Sequence, residues 1–130
     1  MQIRIIHGLP IVSLSIEYNN YTVELTNVLF DTGCAATIFD TDVLAVAGLY
    51  PDFINGTVKR MYGIGETSEA CYEQLVNNIR IDSISLPSFC LQLGSIQDPY
   101  GFDGIIGIDY MLRTGLKIDF ETMQIRYATP

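Results

Sequence analysis

The sequence predicts an all-β domain, a small closed β-barrel carrying one or two short helices. Short runs of β-branched, aromatic and leucine residues recur along the chain, separated by Gly, Asn, Asp and Pro turn signals. Stretches with helical periodicity are few. With 130 residues, 48% of them apolar and 17% charged, the chain supports a single core, so residues 1–130 are read as one domain.

Ile3 to Ile6 and Ile11 to Tyr18 read as strands separated by Gly8-Leu9-Pro10, the second alternating through Val12, Leu14, Ile16 and Tyr18. Asn19-Asn20 predicts a tight turn, because Asn tolerates positive φ, and Tyr21 to Leu25 returns as the hairpin partner. Asn27 to Phe30 follows as a buried strand and Thr37 to Phe39 as a short one. Asp40 or Thr41 caps a helix over Asp42 to Ala47, closed by Gly48. Lys59 to Tyr62 and Glu69 to Gln74 flank the glycine-bearing tip Gly63-Ile64-Gly65-Glu66, and Val76 to Ile81, Ser83 to Leu86 and Ser88 to Leu93 extend the sheet. After Asp103 to Ile108, Asp109 is expected to cap a helix over Tyr110 to Thr114, ended by Gly115. Leu116 to Phe120 and Met123 to Tyr127 close the chain as a hairpin around Glu121-Thr122. The opening tetrapeptide Met-Gln-Ile-Arg recurs at Met123 to Arg126; four residues without a sustained period are read as coincidence, not as an internal repeat.

Seven Lys and Arg against fifteen Asp and Glu give a net charge of −8. Nucleic acid is therefore not an expected partner, since it needs clustered cations, and an anionic membrane surface is disfavoured. No apolar run approaches the ~20 residues that span a bilayer. The apolar stretch at the N-terminus is too short for a signal peptide, so the expected location is the cytoplasm, either as an independent protein or as a domain cut from a longer chain. Cys34, Cys71 and Cys90 cannot all pair internally and have neither zinc-site nor disulfide-framework spacing, so they are read as reduced. Asp98 to Asp109 lacks EF-hand ligands, with Tyr100 and Phe102 where oxygen donors are needed. No metal and no organic cofactor are expected.

Chemistry points to Asp31-Thr32-Gly33, directly after the apolar run Val28-Leu29-Phe30. Asp is rarely buried without a partner, so a carboxylate at the end of a buried strand asks for a reason. A second carboxylate within a few ångströms would supply one: like charges resist joint ionisation, and the pair holds one proton between them. The protonated acid then polarises a carbonyl while the ionised one takes a proton from water, which suits amide hydrolysis. The chain has one such motif, so the second carboxylate is expected from a second copy across a two-fold axis. Asp103, Asp109 and Asp119 are the alternatives within the chain.

Together with Asp103-Gly104-Ile105-Ile106-Gly107-Ile108-Asp109 downstream, this motif resembles the retropepsin-like aspartic proteases, over roughly residues 12 to 127. The resemblance implies an acid-protease barrel and a homodimer acting on a peptide or protein substrate. It assigns Asp31 as the catalytic acid, Thr32 as the hydroxyl that locks the two loops across the axis, and Gly33 as loop support. Met61-Tyr62-Gly63-Ile64-Gly65-Glu66 matches the family's flap, with Tyr62, Gly63, Ile64 and Gly65 over the substrate. Ile105, Ile106 and Gly107 match the hydrophobic-hydrophobic-Gly motif that packs behind the catalytic loop. The family usually has Ala and then a polar residue after its Asp-Thr-Gly; this chain has Cys34 and Ala35.

Other readings stand beside these. Gly63 and Gly65 also suit an ordinary hairpin turn. A Cys34 nucleophile would need a nearby base, and the chain's one histidine, His7, has no sequence feature placing it there. A catalytically inactive peptide-binding or dimerisation module of the same fold is the rival reading of the whole chain.

Overall fold

The computed structural model describes residues 1–62 and 68–128. In chain order the elements are β1 (Arg4–Ile6), β2 (Leu9–Tyr18), β3 (Tyr21–Phe30), β4 (Ile38–Asp40), α1 (Thr41–Ala45), β5 (Thr57–Tyr62), β6 (Ser68–Ile81), β7 (Ile84–Gly94), α2 (Gln97–Tyr100), β8 (Gly104–Ile106), α3 (Ile108–Thr114), β9 (Lys117–Asp119) and β10 (Gln124–Arg126). The all-β expectation holds, and the helices are short, α3 being the longest at 7 residues. Eight strands form one sheet in the order β1-β2-β3-β8-β4-β7-β6-β5. Pairing of Ile16 with Ile81 and of Glu17 with Arg80 joins β2 to β6 and closes the sheet into a ring.

Turn chemistry sets the hairpins. His7 and Gly8 have φ of 53° and 80°, so the β1–β2 turn falls one residue earlier than expected and Leu9 and Pro10 already pair with Ile6 and Ile5. Asn19 and Asn20, at 50° and 66°, make the expected β2–β3 turn. Where two short strands were expected, β3 runs unbroken, with a bulge opposite Ser13 that shifts the register between Val12↔Val28 and Leu14↔Leu25. The Asp103 carboxylate holds that bulge, accepting from the backbone N–H groups of Thr26 and Asn27 at 3.1 and 3.2 Å. The extra residue changes the alternation phase, so Leu25 is buried before the bulge and Val28 and Phe30 after it. Each such side chain contributes about 1.5–3 kcal/mol by leaving water.

Asp40, not Thr41, caps α1: its Oδ2 accepts from Asp42 and Val43, while its Oδ1 accepts from Ile96 and Gln97. One buried carboxylate thus ties α1 to the start of α2. The main core gathers Val12, Leu25, Phe30, Phe39, Ile106 and Tyr110; a second cluster holds Ile11, Leu29, Ile38, Cys71, Ile96 and Ile105.

The two Met-Gln-Ile-Arg copies lie against each other. Gln2 is bridged to Gln124 in antiparallel sense, Ile3 N–H donates to Met123 O at 2.8 Å, and Ile125 N–H donates to Met1 O at 2.7 Å. With Gln124↔Asp119, Ile125↔Ile118 and Arg126↔Lys117 on the other side of β10, the chain's two ends make a small terminal sheet. No helix among the described residues is long and apolar enough to cross a membrane.

Candidate active site

The site starts from two parallel strands. β3 and β8 pair as Val28↔Gly104, Leu29↔Ile105 and Phe30↔Ile106, and Asp31 N–H extends that ladder to Ile106 O at 3.0 Å. Asp31 is therefore set by the sheet, not by a free loop. Its side chain is half-buried, and its Oδ1 accepts from Gly33 N–H at 2.9 Å, a local Asx turn that aims the carboxylate. Cys34 N–H closes the loop on Asp31 O at 3.1 Å. Thr32 and Gly33 are exposed at the loop's tip.

Behind this loop stands Gly107. A Cβ there would lie 2.7 Å from Cys34 O and 2.8 Å from the Ala36 carbonyl carbon and oxygen. Ile108 N–H donates to Cys34 O at 2.8 Å, and Gly107 N–H donates to Thr37 Oγ1 at 3.1 Å. Ile105 and Ile106 are both buried, on opposite faces of β8 in the two hydrophobic clusters. Ile106 and Gly107 thus stand directly against the Asp31 loop, Ile106 through its carbonyl and Gly107 by close packing.

Asp109 is not a helix cap. Gly107 occupies the N-cap position of α3 without a side-chain bond, and Asp109 sits in the first turn. Its carboxylate reaches back to Thr37, accepting from the hydroxyl at 2.7 Å and from the N–H at 3.1 Å. Thr37 is wholly buried and in turn accepts from Gly107 N–H, so one network locks the end of the Asp31 loop to α3. Thr37 and Asp109 were not singled out for this role, because their partnership spans 72 residues. Asp109→Ala leaves both Thr37 donors buried and unanswered, an expected loss of about 3 kcal/mol by urea denaturation. Asp109→Asn, which keeps one acceptor, should lose less; equal midpoints for all three proteins would remove the network from this account.

All three intrachain candidates for a partner of Asp31 are engaged elsewhere. Asp103 holds the β3 bulge and accepts from Gln97 Nε2 at 2.9 Å. Asp109 holds Thr37. Asp119 accepts from the Glu121 and Thr122 N–H groups at 2.9 and 3.1 Å and pairs with Arg126 at 2.5 Å, which hold its carboxyl below the usual carboxylate range.

Cys34 is half-buried and donates to Ala36 O at 3.1 Å. Burial pushes its thiol up, partly offset at the Ala36 bond, and the charges of Asp31 and Asp109 add to the rise. His7 lies in the β1–β2 turn, and among the described residues no hydrogen bond joins it to Cys34. A protonated thiol without a base is not a nucleophile. Alkylation of Cys34 at pH 8.5, followed by peptide mass mapping, is expected to be slower than that of a free thiol; a matching rate would contradict this environment.

Asp31 and Thr32 open onto a hollow of about 310 Å³ lined mainly by apolar residues, among them Leu9, Phe30, Ile118 and Phe120. Tyr62 is the last residue of β5, whose pairing with β6 from Thr57↔Glu73 to Tyr62↔Ser68 is a hairpin approach; Gly63, Ile64 and Gly65 lie outside the described residues. No group of three or more His, Cys, Asp or Glu suited to a metal ion occurs among the described residues.

No protein-family model and no curated protein matches the sequence. Solved structures do match. A retropepsin-like aspartic protease from Rickettsia conorii superposes with a TM-score of 0.64 at 16% identity, covering 97% of this chain and 87% of that one. The retroviral protease-like domain of Ddi1 from Leishmania major gives 0.60 at 15%, covering 92% and 90%. The fold is retropepsin-like. EIAV protease, in complex with the inhibitor HBY-793, gives 0.52 at 18%, covering 88% and 96%. At these identities the likeness speaks for the fold, and the retropepsin-like fold of this chain carries Asp31 on a loop held between its β3 and β8.

Proposed function

We propose that this chain is an aspartic endopeptidase acting as a homodimer. The observation that carries the reading is Asp31: a carboxylate fixed by backbone bonds at the end of a buried strand, beside an apolar hollow, with the intrachain candidates for its partner engaged elsewhere. A second copy supplies the missing acid. The two Asp31 carboxylates share one proton; the ionised one takes a proton from a water that attacks the peptide carbonyl, and the protonated one polarises that carbonyl. Thr32 bonds across the axis, and Gly33 holds the Asp31 carboxylate. Ile105, Ile106 and Gly107 fix the loop from behind. Substrate lies extended, bonded through its main chain to a flap formed by Tyr62, Gly63, Ile64 and Gly65, with no metal or organic cofactor.

Incubating a mixed peptide library with wild type and with Asp31→Asn between pH 3 and 7 tests the reading. Cleavage by the wild type alone supports it. A folded dimer that cleaves nothing at any pH would favour an inactive binding module, for which Cys34 and Ala35 in place of the usual residues are the specific observation. Cleavage surviving the substitution would displace Asp31 from the mechanism.

A further inference from the structure

Where the Asp31 loop ends, Ale and helix give way to open space: Ala35 and Ala36 border a groove of about 690 Å³, against about 310 Å³ for the hollow at Asp31. The start of α3 contributes Leu112 and Arg113 to it, and β6 and β7 contribute Glu73 and Cys90. It shares no lining residue with the hollow at Asp31. Leu112 is 76% exposed beside it. Leu75, paired with Cys90 and so on the same face of the sheet, is 65% exposed. Neither leucine belongs to the two hydrophobic clusters. One exposed leucine needs no explanation, but two flanking one groove mark a binding surface.

Backbone groups at the near end of the groove say what kind of molecule fits. Ala36 O is taken by the Cys34 thiol and Thr37 N–H by Asp109, but among the described residues the N–H groups of Ala35 and Ala36 donate no hydrogen bond. Successive free main-chain donors suit the carbonyls of an extended polypeptide, which a lipid tail or a small apolar molecule could not supply.

Resting on the endopeptidase reading, we propose that this groove holds a flank of the substrate polypeptide. The chain lying over Asp31 runs on past Ala35 and Ala36 and sets an apolar side chain between Leu112, Cys90 and Leu75. Recognition then depends on an aliphatic or aromatic residue outside the segment that is cut, read independently of the hollow at Asp31. Charge narrows the choice further. Gln92 accepts from the Cys71 thiol at 3.1 Å and donates to Glu73 at 3.1 Å, which fixes the Glu73 carboxylate in place. Glu73 and Asp109 outnumber Arg113 among the lining residues, so an acidic flank is disfavoured.

Retention of two random peptide pools on the immobilised full chain carrying Asp31→Asn tests the groove without cleavage. Peptides of about 6 and about 14 residues have extended lengths of ~20 and ~45 Å, so only the long pool carries flanks. Long peptides with Leu, Ile, Phe or Met in a flank are expected to bind about 10-fold more tightly than those with polar flanks. Adding Leu112→Lys or Leu75→Lys, both exposed changes, is expected to erase that preference and leave retention of the short pool unchanged. Tyr21→Lys, 62% exposed and lining neither hollow, should change nothing. Apolar flanks that confer no advantage, or an advantage that survives both leucine changes in folded proteins, would overturn the proposal. So would a Leu112→Lys protein that sediments as a monomer beside a dimeric parent, since the face would then belong to the second copy. Failure of the endopeptidase reading looks different: a wild type that cleaves nothing, with a flank preference that Leu112→Lys abolishes, keeps the groove as a peptide site and removes the protease.

Discussion

Asp31→Asn is expected to lower peptide hydrolysis by about 10³-fold or more while leaving the fold intact. The replacement keeps the shape, and an Asn oxygen still accepts from Gly33 N–H, so the Asx turn survives. Only the charge is lost, and with it any group able to take a proton from water. The same change carries a second, opposite signature. Two ionised Asp31 side chains facing one another repel, so removing the charge should tighten the dimer, not loosen it. Sedimentation at one pH checks this: an Asp31→Asn dimer that dissociates less readily than the wild-type dimer is the expected pattern. A mutant dimer weaker than wild type would mean Asp31 serves the interface by a different contact.

Gly107→Ala is expected to cost about 3 kcal/mol, a fall in melting temperature of roughly 10 °C. The backbone here has φ −96° and ψ −177°, extended values open to any residue, so the cost is one of space and not of conformation. The added methyl meets the carbonyls of Cys34 and Ala36, atoms of the Asp31 loop that cannot swing aside as a side chain would. That loop can only retreat, carrying Asp31 with it, so activity should fall more than tenfold even where the protein remains folded. A scanning calorimetry trace within two degrees of wild type, at about the resolution such a shift needs, would contradict the packing described for this loop.

Much of this was legible in the sequence because its signals are local. The Asn19-Asn20 turn, the Asp40 cap and the positive-φ end of α3 at Gly115 each depend on residues within one turn of the chain. The strands read in pieces were misread for local reasons too. Pro87, the break expected between Ser83 to Leu86 and Ser88 to Leu93, lies inside β7, and the gap expected between Gln74 and Val76 lies inside β6; the one irregularity, between the pairs Asn77↔Ser88 and Ile79↔Leu86, falls at Pro87 and at Asn78, whose φ is 57°. α2 falls in a segment given no element, its Ile96 cap position carrying no side-chain bond to announce it. Asp103 and Asp109 were the hardest to place: Asp109, directly before Tyr110, reads as a helix cap, and Asp103 beside Gly104 carries no local sign of its distant partner. Only the folded ring brings Thr26 and Thr37 to them. Of the expected flap, Gly63, Ile64 and Gly65 lie outside the described residues.

The pairing of the chain's two ends has a mechanical consequence. Met1 and Ile125 lie side by side, joined by the Met1 amino group on Ile125 O at 2.8 Å, with the chain leaving from the same end of the pair. Tension applied through the two ends would load those bonds one after another, as a zip is opened, and not all at once in shear. The terminal segments would peel first, at small force, while the ring held. A handle fixed at the two ends would therefore read the strength of the terminal sheet and leave that of the ring untested.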